Sequence, residues 1–239
     1  MAIKRDGSAM AHISDDLKRD KTFILHAVHE KRHALMYASN DLKGDRDVVM
    51  EAIRCHGDAI QYASNDVKMD KEMVLAAVRK DGQALQHVDE VMRSDPEIVW
   101  EAIRQDNFAL RYVSEKLMCD KQFLLDAVKL GCRNILRLAN TPKELANDKE
   151  FMLNIVQLNS LEIVGSSYAC CDKEIMLEAV KNNGNALQFA SKELKKDPEL
   201  VLEALKCNGY VLAYSDELYR ERMDKCYNGA SLGSAISEE

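Results

Sequence analysis

Chain-breaking residues are scarce in this sequence. Three prolines and ten glycines in 239 residues, with aromatics at 6%, fit an all-helical protein better than one rich in strands and tight turns. Long apolar runs are missing as well. No stretch reaches the roughly 18–20 residues that a membrane span needs. The opening MAIKRDGSAMAH lacks the continuous apolar segment of a signal peptide. Positive charge is in deficit, with a net charge of −7 and a pI near 5.5. That balance argues against a general binder of nucleic acid or anionic membrane and leaves open only a local basic stripe. Cysteine pairing signals are absent too. Cys55, Cys119, Cys132, Cys170, Cys171, Cys207 and Cys226 form an odd, irregular set without a CxxC, expected to be reduced thiols in the cytoplasm or another reducing intracellular compartment.

What the chain does have is a period. An aspartate returns every 25 residues at Asp20, Asp45, Asp70, Asp95 and Asp120, and after a three-residue slip at Asp148, Asp172 and Asp197. The units are 20–44, 45–69, 70–94, 95–119, 120–147, 148–171, 172–196 and 197–223. A period of this length marks a stacked array in which each unit buries its apolar face only against its neighbours.

With the aspartate as position zero, Asp95-Pro96-Glu97 and Asp197-Pro198-Glu199 read as helix starts. The Asp side chain accepts from the free amides of the first turn, proline at the first helical position loses nothing, and Glu suits the helix dipole. Positions three and four are apolar in every unit, and position seven is alanine except at Ile155. Position eight is Val, Ile or Leu. Those spacings fall on one helical stripe, and the alanines let helix axes approach closely. Glycine at position twelve (Gly7, Gly57, Gly82, Gly184, Gly209) is expected to end the helix in the left-handed conformation. A second short helix follows, as in Ala59-Ile60-Gln61-Tyr62-Ala63, and then Ser39, Ser64, Ser114 and Ser191 open a turn that buries Leu42, Val67, Leu117 and Leu194.

The fifth unit carries three extra residues around Asn140-Thr141-Pro142-Lys143, and the sixth is irregular, with Ile155 for alanine and Gly165-Ser166-Ser167 in its second half. Ala2-Ile3-Lys4 aligns with Ala27-Val28-His29, so the start of the chain reads as half a repeat. The expected organisation is one array over residues 1–226, followed by a disordered tail over 227–239.

The unit Asp-x-x-h-h-h-x-Ala-Val-x-x-x-Gly-x-Ala-Leu-x-x-Ala-Ser-x-x-Leu-Lys (h, apolar) resembles the family known as domain of unknown function 4116. Asp45–Lys68 and Asp172–Lys195 carry the pattern almost letter for letter. The resemblance covers residues 2 to about 218 and is weakest in units five and six. It implies a tandem α-helical repeat and offers no catalytic residues to carry over.

Chemistry has few places to reside. A basic column at position nine holds Arg54, Arg79, Arg104, Lys129, Lys181 and Lys206 and would suit a phosphate backbone. Glu51, Glu101, Asp126, Glu178 and Glu203, three residues earlier, are placed to cancel it. Aromatics at position seventeen (Tyr37, Tyr62, Tyr112, Phe189, Tyr214) read as packing between repeats in preference to base stacking. Cys55-His56 and Cys170-Cys171 are close pairs of soft ligands without zinc-site spacing, so no metal is expected. Walker and dinucleotide loops are absent, and no nucleophile has a base in sequence register, so neither catalysis nor a cofactor is expected. Variation inside the fixed frame concentrates at positions thirteen and sixteen: His33, Asp58, Gln83, Phe108 and Tyr210, with Gln61, Gln86, Arg111 and Gln188.

The expectation is an all-α protein, an α-solenoid of about eight 25-residue helix-turn-helix repeats plus an N-terminal half repeat, winding as a right-handed superhelix. It would act as a non-enzymatic scaffold for another protein or peptide. The rival readings are a nucleic-acid binder using the basic column and a repeat domain of a larger polypeptide.

Overall fold

The structure is a computed structural model and describes residues 7–138 and 141–207. All regular structure among them is helical. Each repeat opens on a leading helix: α1 Lys21–Glu30, α2 Arg46–Cys55, α3 Lys71–Lys80, α4 Pro96–Gln105, α5 Lys121–Lys129, α6 Lys149–Leu158, α7 Lys173–Asn182 and α8 Pro198–Cys207. Every one begins directly after its aspartate. The carboxylate accepts from the first-turn amides, as in Asp95 Oδ1 with Glu97 N at 2.9 Å and Asp172 Oδ1 with Glu174 N at 3.0 Å.

Contacts group the described residues into two compact units, one running to Phe123 with Leu130–Cys132, the other comprising Leu124–Lys129 and the residues from Arg133 onward. The division falls inside repeat five, where the three extra residues enter. In the first unit α1 packs on α2, α2 on α3 and α3 on α4; in the second α6 packs on α7 and α7 on α8. Val48, Val49, Ala52 and Ile53 of α2 are all buried, and so are the same four positions of α3, α4, α6 and α7. Each large side chain among them stabilises the stack by roughly 1.5–3 kcal/mol.

The glycine of position twelve does not do what its turn chemistry suggested. Among the described residues only Gly131 (φ 95°) and Asn134 (φ 57°) are left-handed. The leading helix ends one residue earlier, at an extended residue such as Asp81 (φ −150°, ψ 107°) or Asp106 (φ −149°, ψ 114°). That residue's amide donates to the alanine carbonyl of position seven, and its carboxylate caps the next segment, Asp81 Oδ1 accepting from Gln83 N at 3.0 Å. One Asx residue therefore stops one helix and starts the other.

Gly57 and Gly82 are glycine because the following repeat leaves no room for a side chain. A Cβ on Gly57 would lie 2.7 Å from the Ala77 carbonyl oxygen and 2.8 Å from Asp81 N, and one on Gly82 would collide with the Ala102 carbonyl oxygen. Glycine and the small residue at position seven thus make one close approach between repeats.

The second element is a 3-10 helix: Ala34–Tyr37, Gly57–Tyr62, Gly82–His87, Asn107–Tyr112, Ser160–Gly165 and Gly184–Phe189, shortened to Ile135–Arg137 in repeat five. The serine turn is a third element. In repeats one to four it is a single α-turn, Asn40–Lys43, Asn65–Lys68, Glu90–Arg93 and Glu115–Met118, and Ser39 Oγ accepts from Leu42 N at 3.4 Å. Leu42 and Val67 are buried there. In repeat four Met118 takes the buried place and Leu117 is half-buried, as is Leu194. The expected half repeat over Ala2-Ile3-Lys4, Gly209, Tyr214, Cys226 and the 227–239 tail lie outside the described residues.

Candidate functional site

One charged ladder runs between repeats and a second lies largely within the leading helices. The cation at position one reaches across to the next repeat and bridges its cap aspartate and its position-two carboxylate. Lys21 Nζ lies 2.8 Å from Asp45 and 3.1 Å from Asp47. Lys71 lies 2.7 Å from Asp95 and 2.8 Å from Glu97, and Lys173 lies 2.8 Å from both Asp197 and Glu199. Arg46 clamps Asp70 and Glu72 in the same way, and Lys149 clamps Asp172 and Glu174. The recurring aspartate is therefore both a helix cap and half of an inter-repeat ion pair. Sequence reading missed the clamp because its members lie 23 to 26 residues apart; a cation after six of the eight aspartates and an acid at position two of six units was the available signal.

The hydrogen bond from Lys21 holds the Asp45 carboxyl below the usual carboxylate range, as that from Lys173 does for Asp197. At Asp95 burial pushes upward, but the Lys71 hydrogen bond and the first-turn amides together leave it lowered. A carboxyl lowered on folding contributes stability above its unfolded value, near 3.8, that is lost as pH falls through the folded value. Melting temperature is therefore expected to fall steeply below about pH 4. Asp45→Asn with Asp197→Asn should make that fall shallower. An unchanged acid limb in thermal melts would remove these carboxylates from the account.

The basic column of position nine is exposed but neutralised. Arg54 lies 3.3 Å from Glu51, Arg104 2.9 Å from Glu101, Lys129 2.8 Å from Asp126, Lys181 3.9 Å from Glu178 and Lys206 2.6 Å from Glu203. Arg79, whose own repeat has Ala76 at position six, crosses to Glu101 at 2.8 Å. The Arg79 hydrogen bond holds the Glu101 carboxyl below its usual range.

The variable columns sit on the 3-10 helices. In the first unit the segments Gly57–Tyr62, Gly82–His87 and Asn107–Tyr112 contact one another in succession, which brings Asp58, Gln61, Gln83, Gln86, Phe108 and Arg111 onto consecutive rungs. Gln83, Gln86, Phe108 and Arg111 are exposed, Phe108 at 64%. The Arg111 guanidinium stands 5.2 Å over the Phe108 ring. Other members serve the packing. Asp58 accepts from Arg32 at 2.7 Å with its side chain only 13% exposed, and His33 Nδ1 meets Tyr62 Oη at 2.9 Å. Gln83 donates to Asp106 at 2.9 Å, and Gln61 to its own Asp58 carbonyl at 3.1 Å. Gln188, in the second unit, donates to the Asn185 carbonyl at 3.0 Å. Tyr210 lies outside the described residues. The aromatics Tyr37, Tyr62, Tyr112 and Phe189 are half-buried.

Among the described residues one group of soft ligands converges: His29, Glu51 and Cys55, with donor atoms within 4.8 Å of one another. The sequence pair Cys55-His56 hid it, because the histidine that meets Cys55 is 26 residues away. No described helix is long and apolar enough to cross a membrane, and the six described cysteines are free.

The family described as "Domain of unknown function (DUF4116)" matches residues 1–43, 45–93, 95–141 and 172–220. The interval it leaves, 142–171, holds the end of repeat five and the whole of the irregular sixth repeat. No curated protein and no solved structure matches the chain. The four matched segments span well over half of the sequence and repeat the same capped, stacked unit, and the chain belongs to this DUF4116 family.

Proposed function

We propose that this chain is a non-enzymatic scaffold that binds another protein through the stacked 3-10 helices of its first unit. The observation carrying the reading is Phe108, a large apolar ring left 64% exposed and covered on one face by Arg111. It stands among Gln83, Gln86 and Arg111, which are all exposed. An aromatic anchor and an arginine inside a polar surround is the composition of a binding hot spot. Stacked helices repeat about every 8–10 Å and an extended chain rises about 3.3 Å per residue, so each rung spans about three residues of an extended peptide. Glutamine amides, with donors and acceptors both, suit main-chain recognition.

Nucleic acid is the weaker reading, since a position-nine cation held in an ion pair is less able to release counterions from phosphate. Phe108→Ala is expected to weaken partner capture at least tenfold without changing the melting temperature by more than about 2 °C, as befits an exposed site. Arg79→Glu with Arg104→Glu should leave capture intact. Loss of binding in that double variant with retention in Phe108→Ala would reverse the assignment.

A further inference from the structure

The stack imposes a register that turns one pair of repeats into a metal site. Position nine of one leading helix faces positions six and ten of the next. Arg79 meets Glu101 by this rule at 2.8 Å, and Cys207 Sγ reaches the Lys181 carbonyl oxygen at 3.4 Å. Asn182, at position ten, donates likewise to the Val156 and Gln157 carbonyls of the preceding helix. Where an arginine or lysine faces an acid, as Arg79 does Glu101 and Lys181 does Glu203, the cation cannot ligate a metal. Between repeats one and two all three positions hold metal-ligating types: His29 at nine, Glu51 at six and Cys55 at ten.

Their geometry is already converged. Cys55 Sγ lies 3.4 Å from His29 Nδ1, and Glu51 Oε1 lies 3.1 Å from His29 Nε2. Glu51 and Cys55 are four residues apart on α2 and so share one face. Tetrahedral zinc, with bonds of about 2.0–2.3 Å, needs donor atoms roughly 3.3–3.6 Å apart. Because a metal takes only one nitrogen of the ring, the third donor must swing to it. His29 has room to do so, with its side chain 53% exposed. A groove of about 410 Å³ lies alongside, lined by Leu25, His29, Asp47, Met50, Glu51 and Arg54. It leaves the fourth position open to water or a ligand. Arg54, 3.3 Å from Glu51, is 71% exposed and able to turn away from the carboxylate.

We infer that His29, Glu51 and Cys55 form a site for a divalent cation of borderline softness, Zn²⁺ in the first instance, with one coordination position open. The mixed nitrogen, oxygen and sulfur donors select zinc over magnesium or calcium, which require all-oxygen cages. The cysteine–histidine–glutamate order also matches that of a thiol hydrolase. That reading further requires an oxyanion hole and a substrate-shaped cleft, whereas the three converged donors need only a metal ion to complete them.

The test titrates the full, reduced chain with Zn²⁺ in competition with a chromophoric chelator, and in parallel with Co²⁺ to read thiolate-to-metal charge transfer. One equivalent is expected to bind, with the charge-transfer band. Cys55→Ser and His29→Ala should each weaken binding at least tenfold, and Cys55→Ser should abolish the band while six other cysteines remain. Circular dichroism checks that both variants fold. Lys181→His is the converse test, since it places a third ligand opposite Glu203 and Cys207 and should add a second equivalent. Binding unchanged in Cys55→Ser and His29→Ala, or no cobalt–thiolate band in the parent chain, overturns the site. A Lys181→His chain that gains no second equivalent overturns the register on which it rests.

Discussion

Gly82→Ala is expected to destabilise the protein by about 3 kcal/mol, near the upper end for overpacking, because the obstacle is backbone. The added methyl would collide with the Ala102 carbonyl oxygen, and Gln105 Oε1, which accepts from Gly82 N, lies 2.9 Å from the same point. That carbonyl belongs to the last turn of α4 and is itself the acceptor for Asp106 N. Neither partner can retreat without opening the helix end. The comparison with asparagine identifies the cause. At a left-handed turn Asn is better tolerated than Ala; at a close approach it is worse, being larger. Gly131 supplies the opposite case, with φ 95° and only Asn107 Nδ2, at 3.5 Å, near an added Cβ. Urea unfolding should therefore rank Gly82→Asn below Gly82→Ala, and Gly131→Asn above Gly131→Ala. The same ranking at both positions would return Gly82 to the class of turn glycines.

Glu162→Ala should cost about as much, roughly 3 kcal/mol, because it strands two amide donors at about 1–3 kcal/mol each. Glu162 stands where regular repeats place alanine, is only 2% exposed, and accepts from Asn134 N at 2.5 Å and Ile135 N at 2.9 Å. Asn159 Nδ2 adds a third donor at 3.3 Å. The carboxylate caps the shortened 3-10 helix Ile135–Arg137, whose own preceding residue, Asn134, is left-handed and makes no side-chain cap. Thus the irregular sixth repeat repairs the irregular fifth. Gly165 belongs to the same repair, since a Cβ there would lie 2.5 Å from Leu136 Cβ, and Ser166 Oγ donates to the Ala146 carbonyl.

Glu162→Gln keeps one acceptor and should recover about half of the loss. Its pH signature runs opposite to that of the cap aspartates. Burial pushes the Glu162 carboxyl up, outweighing the downward pull of the amides. A group raised on folding contributes stability below its unfolded value, near 4.5, that is lost as pH rises through the folded value. Glutamine cannot ionise, so the melting temperature of Glu162→Gln should gain on the parent as pH climbs from 4 to 8. A difference constant with pH would mean that the fold does not raise the Glu162 carboxyl.

The features legible in the sequence are those that repeat and act locally. The aspartate caps, the apolar stripe and the alanine column follow from helix periodicity and first-turn chemistry, and the leading helices begin where those rules place them. The glycine was misread because turn chemistry and close approach favour the same residue, and only the position of the Ala77 and Ala102 carbonyls separates them. The 3-10 winding was hidden because Ala-Leu-x-x-Ala satisfies either helix. The clamps of Lys21, Lys71 and Lys173 and the His29–Glu51–Cys55 cluster depend on which residues face each other across repeats 22 to 26 apart. Periodicity fixes that repeats stack, but the register is a product of packing. Positions thirteen and sixteen were legible as variable, yet only geometry separates the exposed Phe108 from Asp58, which packing has consumed.

The exposed face of the 3-10 helices, and not the basic column, is the surface we propose to meet the partner. A photo-crosslinking residue placed singly at Gln83, Gln86, Arg79 and Arg104 in the full chain, irradiated in native lysate, tests it most directly. One recurrent, nuclease-resistant protein adduct is expected from Gln83 and Gln86 and none from Arg79 or Arg104. Nuclease-sensitive adducts from Arg79 and Arg104, or equal yields at all four positions, would contradict it.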